Sequence, residues 1–303
     1  MKEESVFTDW QERSEILLGS SGIEKLRGAF VAVIGLGGVG AYAAEMLVRA
    51  GVGHLLLLDS DCVSISNKNR QLLALDSTVG LRKCNVMAAR AHDINPSVEL
   101  ILVDDYILGE ICEEAGAGAD GNHCEEAGAG ADGNHCVEAG AGAYGNHCVE
   151  AGAGADGSRD AEETAGGKTV AEILDPYKAD LDYVIDAIDT LSPKIALIKY
   201  CMDNELPLVS SMGSGAKMDA TAVRVADISK SYNCPLAYIL RKKLRKLGVS
   251  KGFKAVFSEE LPDRNAIIQA EERNKKSQVG TISYLPAVFG CVCAQTCIND
   301  ILG

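Results

Sequence analysis

No run of about 18 apolar residues occurs in the 303-residue chain, which argues against a membrane span. The nearest approach, Pro286 to Leu302, carries Gln295, Asn299 and Asp300 and reads as a buried helix. The charged start Met1-Lys2-Glu3-Glu4 has no apolar stretch behind it, so no secretory leader is expected. The eleven cysteines include no pair at CxxC spacing; a disulfide framework and a closed structural zinc site are not expected, and a reducing, cytoplasmic setting fits best. Cys293 and Cys297 share a helix face, and Cys234 reads as core packing rather than as a reactive thiol.

One segment also lacks large apolar side chains. From Cys112 to Arg159 the chain runs CEEAGAGADGNH, CEEAGAGADGNH, CVEAGAGAYGNH, CVEAGAGADGSR. Stacking such copies would bury too little to offset the entropy of ordering them, so 109–167 is expected to be a disordered, low-complexity insertion. Between Cys112 and Glu163 stand 12 acids and one base, so of the formal charge of −14 only −3 belongs to the rest of the chain. Each junction sets a histidine beside a cysteine (His123-Cys124, His135-Cys136, His147-Cys148), a soft-metal pairing. Tandem expansion without a selected function accounts for the same pattern.

What remains is 8–108 and 168–303, and with 47% apolar composition overall it can bury a full core. Strands are expected at Phe30 to Ile34, Leu55 to Asp59, Val98 to Val103, Asp182 to Asp186 and Leu208 to Ser211. Helices are expected at Asp9 to Arg27 with Ile16, Leu17 and Leu18 inside, then at Val39 to Ala50, Gly80 to Ile94, Thr169 to Leu174 and Ser192 to Asn204. The alternation predicts an α/β, Rossmann-like, mostly parallel sheet with helices on both faces. A C-terminal elaboration follows, with short strands near Ala222 to Ala226 and Lys254 to Phe257 and the last helix.

The first strand runs into Gly35-Leu36-Gly37-Gly38-Val39-Gly40, and Asp59 closes the second. Gly35, Gly37, Gly38 and Gly40 let a backbone approach phosphate at a helix N-terminus, and an acid such as Asp59 can hold ribose hydroxyls. The pattern means nucleotide, and by itself it is shared with NAD and FAD sites. The choice rests on Asp59-Ser60-Asp61, Ser66-Asn67-Lys68-Asn69-Arg70-Gln71 and Lys83, a polar and cationic run without a task in a dehydrogenase. Asp186 and Asp189 are expected at the carboxyl end of the fourth strand, facing the same crevice. Arg241, Lys242, Lys243, Arg245 and Lys246 form a basic run able to hold a phosphate backbone, or simply a solvated helix face.

GLGGVG, DSDCVSISNKNRQ, Lys83 and DAIDT resemble the adenylating domain shared by ubiquitin-activating and sulfur-carrier-activating enzymes. WQERSEILLG, GGVGAYAAEMLVRAGVG, DAIDTLSPK and VADISKS narrow the resemblance to the tRNA threonylcarbamoyladenosine dehydratase branch. The resemblance implies ATP-dependent cyclisation of threonylcarbamoyladenosine in tRNA through an acyl-adenylate. Adenylation of a small sulfur-carrier protein is the alternative. It further implies ATP and Mg²⁺ as cofactors, with Asp59 and Asp61 at the ribose side and Ser66, Asn67 and Asn69 around the phosphates. Arg70 and Lys83 would neutralise the α-phosphate region, and Asp189 would hold the metal. Arg13 would reach the neighbouring subunit's phosphates in a homodimer. Sulfur-transfer proteins are possible partners on the same ground.

Overall fold

A computed structural model describes residues 9–109, 167–272 and 275–303, without the side chains of Asp9 and 269–278. The 12-residue repeats, with their His-Cys pairs, lie outside the described residues.

In chain order the helices are α1 (Glu12–Gly28), α2 (Gly40–Ala50), α3 (Lys83–Ile94), α4 (Val170–Leu174), α5 (Leu191–Asp203), α6 (Pro235–Lys246) and α7 (Tyr284–Leu302). The strands are β1 (Phe30–Ile34), β2 (His54–Leu58), β3 (Glu99–Val103), β4 (Tyr183–Asp186), β5 (Leu208–Ser211), β6 (Val223–Asp227), β7 (Lys254–Ser258), β8 (Ile267–Glu272) and β9 (Lys275–Val279). One seven-stranded sheet has the order β3-β2-β1-β4-β5-β7-β6. Its pairings are parallel except for β6 against β7, and β8 and β9 form a separate antiparallel hairpin.

Successive side chains of a strand point to opposite faces, so each face gathers its own core. Val31, Val33, Leu55 and Leu57 pack with α2, α3 and α7, while Ala32, Ile34, Leu56 and Leu58 pack with α4, α5 and α6. Coverage on both faces is why β1 and β4 are buried end to end, β1 as a continuous apolar run and β4 as one closed by Asp186. Among the described residues one helix, α7, is long and apolar enough to cross a membrane. Leu285, Phe289, Cys293 and Cys297 of that helix are buried in the first of these cores. Cys234 is buried too, at the N-cap of α6.

The sequence-based boundaries hold to within a few residues, with two differences. The β8–β9 hairpin was not expected, because its polar sequence shows no apolar alternation. The second concerns α1, which bends at Gly19 (φ 72°, ψ 165°). Gly22, Ile23 and Leu26 beyond the bend are buried, but Ile16 and Leu17 are 80% and 83% exposed instead of inside.

Strand order reverses between β1 and β4, each the start of a wing of the sheet. The carboxyl ends of those two strands therefore open into a crevice, the place where open parallel sheets bind ligands.

Candidate active site

The β1–α2 turn is built by glycine. Gly35 has φ +92°, and a Cβ there would lie 3.0 Å from the carbonyl oxygen of Ala187. A Cβ on Gly40 would fall 1.7 Å from the carbonyl oxygen of Gly35, so any larger residue would break the turn. Gly38 packs beside Pro286 and Arg70. At Gly37, among the described residues other than its chain neighbours, the one atom within 4 Å of such a Cβ is Gln71 Nε2 at 3.8 Å. The protein leaves that approach open.

Three other segments converge on this turn. Asp59 is buried at the end of β2, where its carboxylate accepts hydrogen bonds from the backbone N–H of Leu36 (2.6 Å) and of Asp61 (2.9 Å). Lys83 opens α3 and is buried rather than solvated; its Nζ lies 2.7 Å from Asp61 and 3.4 Å from Asp59. Burial alone would depress the Lys83 ammonium, but the charges of Asp59 and Asp61 outweigh it and hold its pKa above the ordinary lysine value.

The Ser66–Arg70 loop is the second segment. Arg70 Nη1 donates to the Ser66 carbonyl (3.0 Å) and to Asn69 Oδ1 (2.8 Å), which fixes the guanidinium within its own loop, while the Arg70 backbone lies beside Gly38. The Asn67 side chain accepts from the Ser64 N–H at 3.2 Å, and Asn69 Nδ2 donates to the Thr281 carbonyl at 3.1 Å. Those amides shape the loop and tie it to the segment entering α7. Ser66 is exposed, its hydroxyl 2.9 Å from that of Ser64.

The third segment is Asp186 to Thr190. Asp186 is fully buried and paired with Lys194 at 2.8 Å, whereas Asp189 is exposed at the crevice. The two acids, alike in the sequence, are thus divided between interior and site.

Gln71 belongs to the motif but had no role in the sequence reading. Among the described residues its Oε1 is a buried acceptor without a hydrogen-bond partner, while its Nε2 is the atom beside the open approach at Gly37. Such an atom is rare in a folded protein and points to a donor that completes it, such as a hydroxyl or amino group of a nucleotide. A nucleotide on the glycine turn fits these residues. The exposed carboxylate of Asp189 is an oxygen ligand of the kind Mg²⁺ takes.

Two predicted groups stand apart from the crevice contacts. Arg13 is exposed on the first half of α1. In the basic run Arg241 is not a surface cation: its Nη1 donates to the Ser231 carbonyl at 2.5 Å and to the Ser231 hydroxyl. Lys242, Lys243, Arg245 and Lys246 are exposed, and Tyr238 shares a stripe with Lys242 and Arg245 at helical spacing. The start of α6 lies beside Gly213, just past the carboxyl end of β5 and so near the crevice.

The sequence matches the model of the ThiF family over residues 12–121 and 139–303. It is 34% identical to the tRNA threonylcarbamoyladenosine dehydratase of Bacillus subtilis, over 96% of this chain and 93% of that protein. It is 32% identical to the enzyme of that name from Escherichia coli, over 97% and 94%. The sulfur carrier protein ThiS adenylyltransferase of Escherichia coli matches at 39% identity, but over only 33% of this chain. Among solved structures, the Escherichia coli tRNA N6-threonylcarbamoyladenosine dehydratase in complex with AMP superposes with a TM-score of 0.70 at 29% identity, covering 98% of this chain and 97% of that one. The same enzyme in complex with ATP gives a TM-score of 0.70, covering 98% and 96%.

Proposed function

Because this chain belongs to the ThiF family, and within it to the tRNA threonylcarbamoyladenosine dehydratases, we propose the following roles for its residues in ATP-dependent cyclisation of threonylcarbamoyladenosine in tRNA. The carboxylate of the threonylcarbamoyl group attacks the α-phosphorus of ATP, and pyrophosphate leaves. A group of the same modified side chain then attacks the acyl-adenylate and expels AMP. The nucleoside loses one water in all.

The first step brings two anions together, so cations must sit where charge develops. Lys83 and Arg70 fill that role. Asp59 and Asp61 keep Lys83 protonated, and the Ser66 and Asn69 oxygens hold Arg70 in place before substrate arrives. Asp59 also faces the ribose, with Leu36 and Asp61 fixing its orientation. The glycine turn receives the phosphates at the N-terminus of α2, with Gln71 Nε2 as the side-chain donor beside it. When bound beside Asp189, Mg²⁺ would supply further positive charge to the polyphosphate. The exposed face of α6, with Tyr238, Lys242 and Arg245, takes the tRNA backbone near the crevice. The exposed start of α1 is the contact face of a homodimer, which would carry Arg13 to the neighbouring subunit's site. A cytoplasmic setting is consistent with substrates such as ATP and tRNA.

The observation that carries this reading is the buried Lys83 ammonium set between two carboxylates at the glycine turn, a cation that hydride transfer to NAD does not require. Adenylation of a sulfur-carrier protein, and with it sulfur-transfer partners, is the weaker reading, because similarity to such an activator stops at a third of the chain. Incubation with ATP, Mg²⁺ and tRNA bearing threonylcarbamoyladenosine should yield a nucleoside lighter by one water in mass spectrometry. Arg70→Ala should lower that yield at least about 100-fold, and Lys242→Glu with Arg245→Glu should raise the tRNA concentration needed. Full conversion by Arg70→Ala, or pyrophosphate exchange driven by a carrier protein and not by tRNA, would rule the reading out.

A further inference from the structure

Lys194 is fully buried in the first turn of α5, close to the positive end of the helix dipole. A buried ammonium there is doubly costly, since it loses hydration and faces a like partial charge. An apolar side chain of similar length would serve packing as well or better. Its partners show what it does instead. Nζ lies 2.8 Å from Asp186 Oδ2 and donates to the Ile188 carbonyl at 3.0 Å. The same Asp186 accepts from the Ser210 hydroxyl (2.6 Å) on Oδ2 and from the Ile188 N–H (3.1 Å) on Oδ1. Both sides of the peptide unit around Ile188 are thereby held from within the protein.

The residue before it is held as well. The Ala187 N–H donates to the Ile34 carbonyl at 2.9 Å, and Ala187 is in close contact with both Gly35 and Gly40. Ala187 is thus fixed by the phosphate turn, and Ile188 by Lys194 and Asp186. Asp189 comes next. We propose that the Lys194–Asp186 pair is a positioning device that sets Asp189 relative to the glycine turn, so that a metal held by Asp189 meets the polyphosphate on that turn. The proposal rests on the reading of Asp189 as the metal carboxylate. Lys194 and Asp186 are fully buried, and they act as outer partners of the site.

Titration of the full-length protein with ATP, with and without Mg²⁺, measures the gain in nucleotide affinity that the metal provides. Lys194→Met should cut that gain about 10-fold or more, the usual effect of losing an outer partner of a metal ligand, while metal-free ATP affinity stays within about threefold. Lys194→Arg should restore part of it. In an Asp189→Ala background Lys194→Met should remove nothing further, because both changes act on one carboxylate. A merely structural lysine would lower the melting temperature and leave the metal-dependent gain alone. An unchanged gain in folded Lys194→Met protein overturns the proposal, as does an effect of equal size in the Asp189→Ala background. Should Lys194→Met fail to fold, Ser210→Ala removes a single bond to Asp186 and should still lower the gain; no change there overturns the proposal. If Asp189→Ala keeps the full gain, the metal reading falls and the proposal with it. If instead the coupling holds while tRNA is not dehydrated, the proposed reaction is wrong and the positioning role stands.

Discussion

Lys83 shows how a single side chain is set for its task. Its ammonium is buried, yet Asp59 and Asp61 outweigh the cost of burial and raise its pKa above 10.5. A group whose pKa is raised by folding adds stability that is fully present below its unfolded pKa and is lost as pH rises through the folded value. Lys83→Met should therefore cost about 3 kcal/mol near neutral pH, where it leaves Asp59 buried without its cation. The gap to the parent protein should narrow above pH 10.5. Denaturant unfolding of both proteins at neutral and strongly alkaline pH measures it, and a gap that stays constant would refute the linkage. Part of this scale was legible in the sequence: the glycine turn and Asp59 were expected together, and the resemblance added Lys83, which the fold brings against Asp59. What could not be read was how each side chain is committed. Nothing in the spacing of Asp186 and Asp189 tells that one takes Lys194 in the interior, or that Arg241 turns back to Ser231 while its neighbours face solvent. Gln71 was visible as a letter of the motif, but its orphaned oxygen exists only once the turn is folded.

Among the elements, α1 departs most from its sequence-based reading. Ile16 and Leu17 fit an apolar helix stripe, and periodicity cannot tell a stripe that faces the chain's own core from one that faces another molecule. The bend at Gly19 decides the matter by turning the first half of the helix away, leaving Trp10, Ile16 and Leu17 exposed. Burying a residue such as Ile or Leu is worth about 1.5–3 kcal/mol, so a second copy covering both would gain enough to matter. On the proposed homodimer, Ile16→Glu with Leu17→Glu should convert a dimer to a monomer in sedimentation and, by withdrawing the proposed Arg13 contact, lower dehydration about 100-fold. Unchanged mass in the double variant would remove α1 from the interface. The central strands and helices were readable because burial on both faces writes an apolar run and helical packing writes a stripe. The β8–β9 hairpin had no such signature; its strands pair antiparallel, with Glu272 opposite Lys275.

For the whole molecule, the question is how a long acidic insertion coexists with a site for an anionic substrate. Its two ends are tied together: Leu108 N–H donates to the Lys168 carbonyl at 2.8 Å, Lys168 N–H donates to the Tyr106 carbonyl at 2.9 Å, and Lys168 pairs with Asp105 at 2.7 Å. The chain leaves and re-enters the fold at one point. Since closure entropy grows only with the logarithm of loop length, replacing 110–166 by about five Gly/Ser residues should change stability by only on the order of 2 kcal/mol, in the stabilising direction. The electrostatic effect should be larger, because the segment takes with it the 12 acids and one base between Cys112 and Glu163. Charges of that number repel a polyanion within a Debye length, about 10 Å at 0.1 M salt and less as salt increases. The shortened protein should therefore keep its fold and its dehydratase activity, bind tRNA more tightly than the parent at low ionic strength, and match it at high. Binding isotherms across a salt series measure this. Identical affinities at low salt would mean that the acidic segment does not act on the tRNA surface, and loss of the fold would mean that the paired ends at Leu108 and Lys168 do not isolate it from the core.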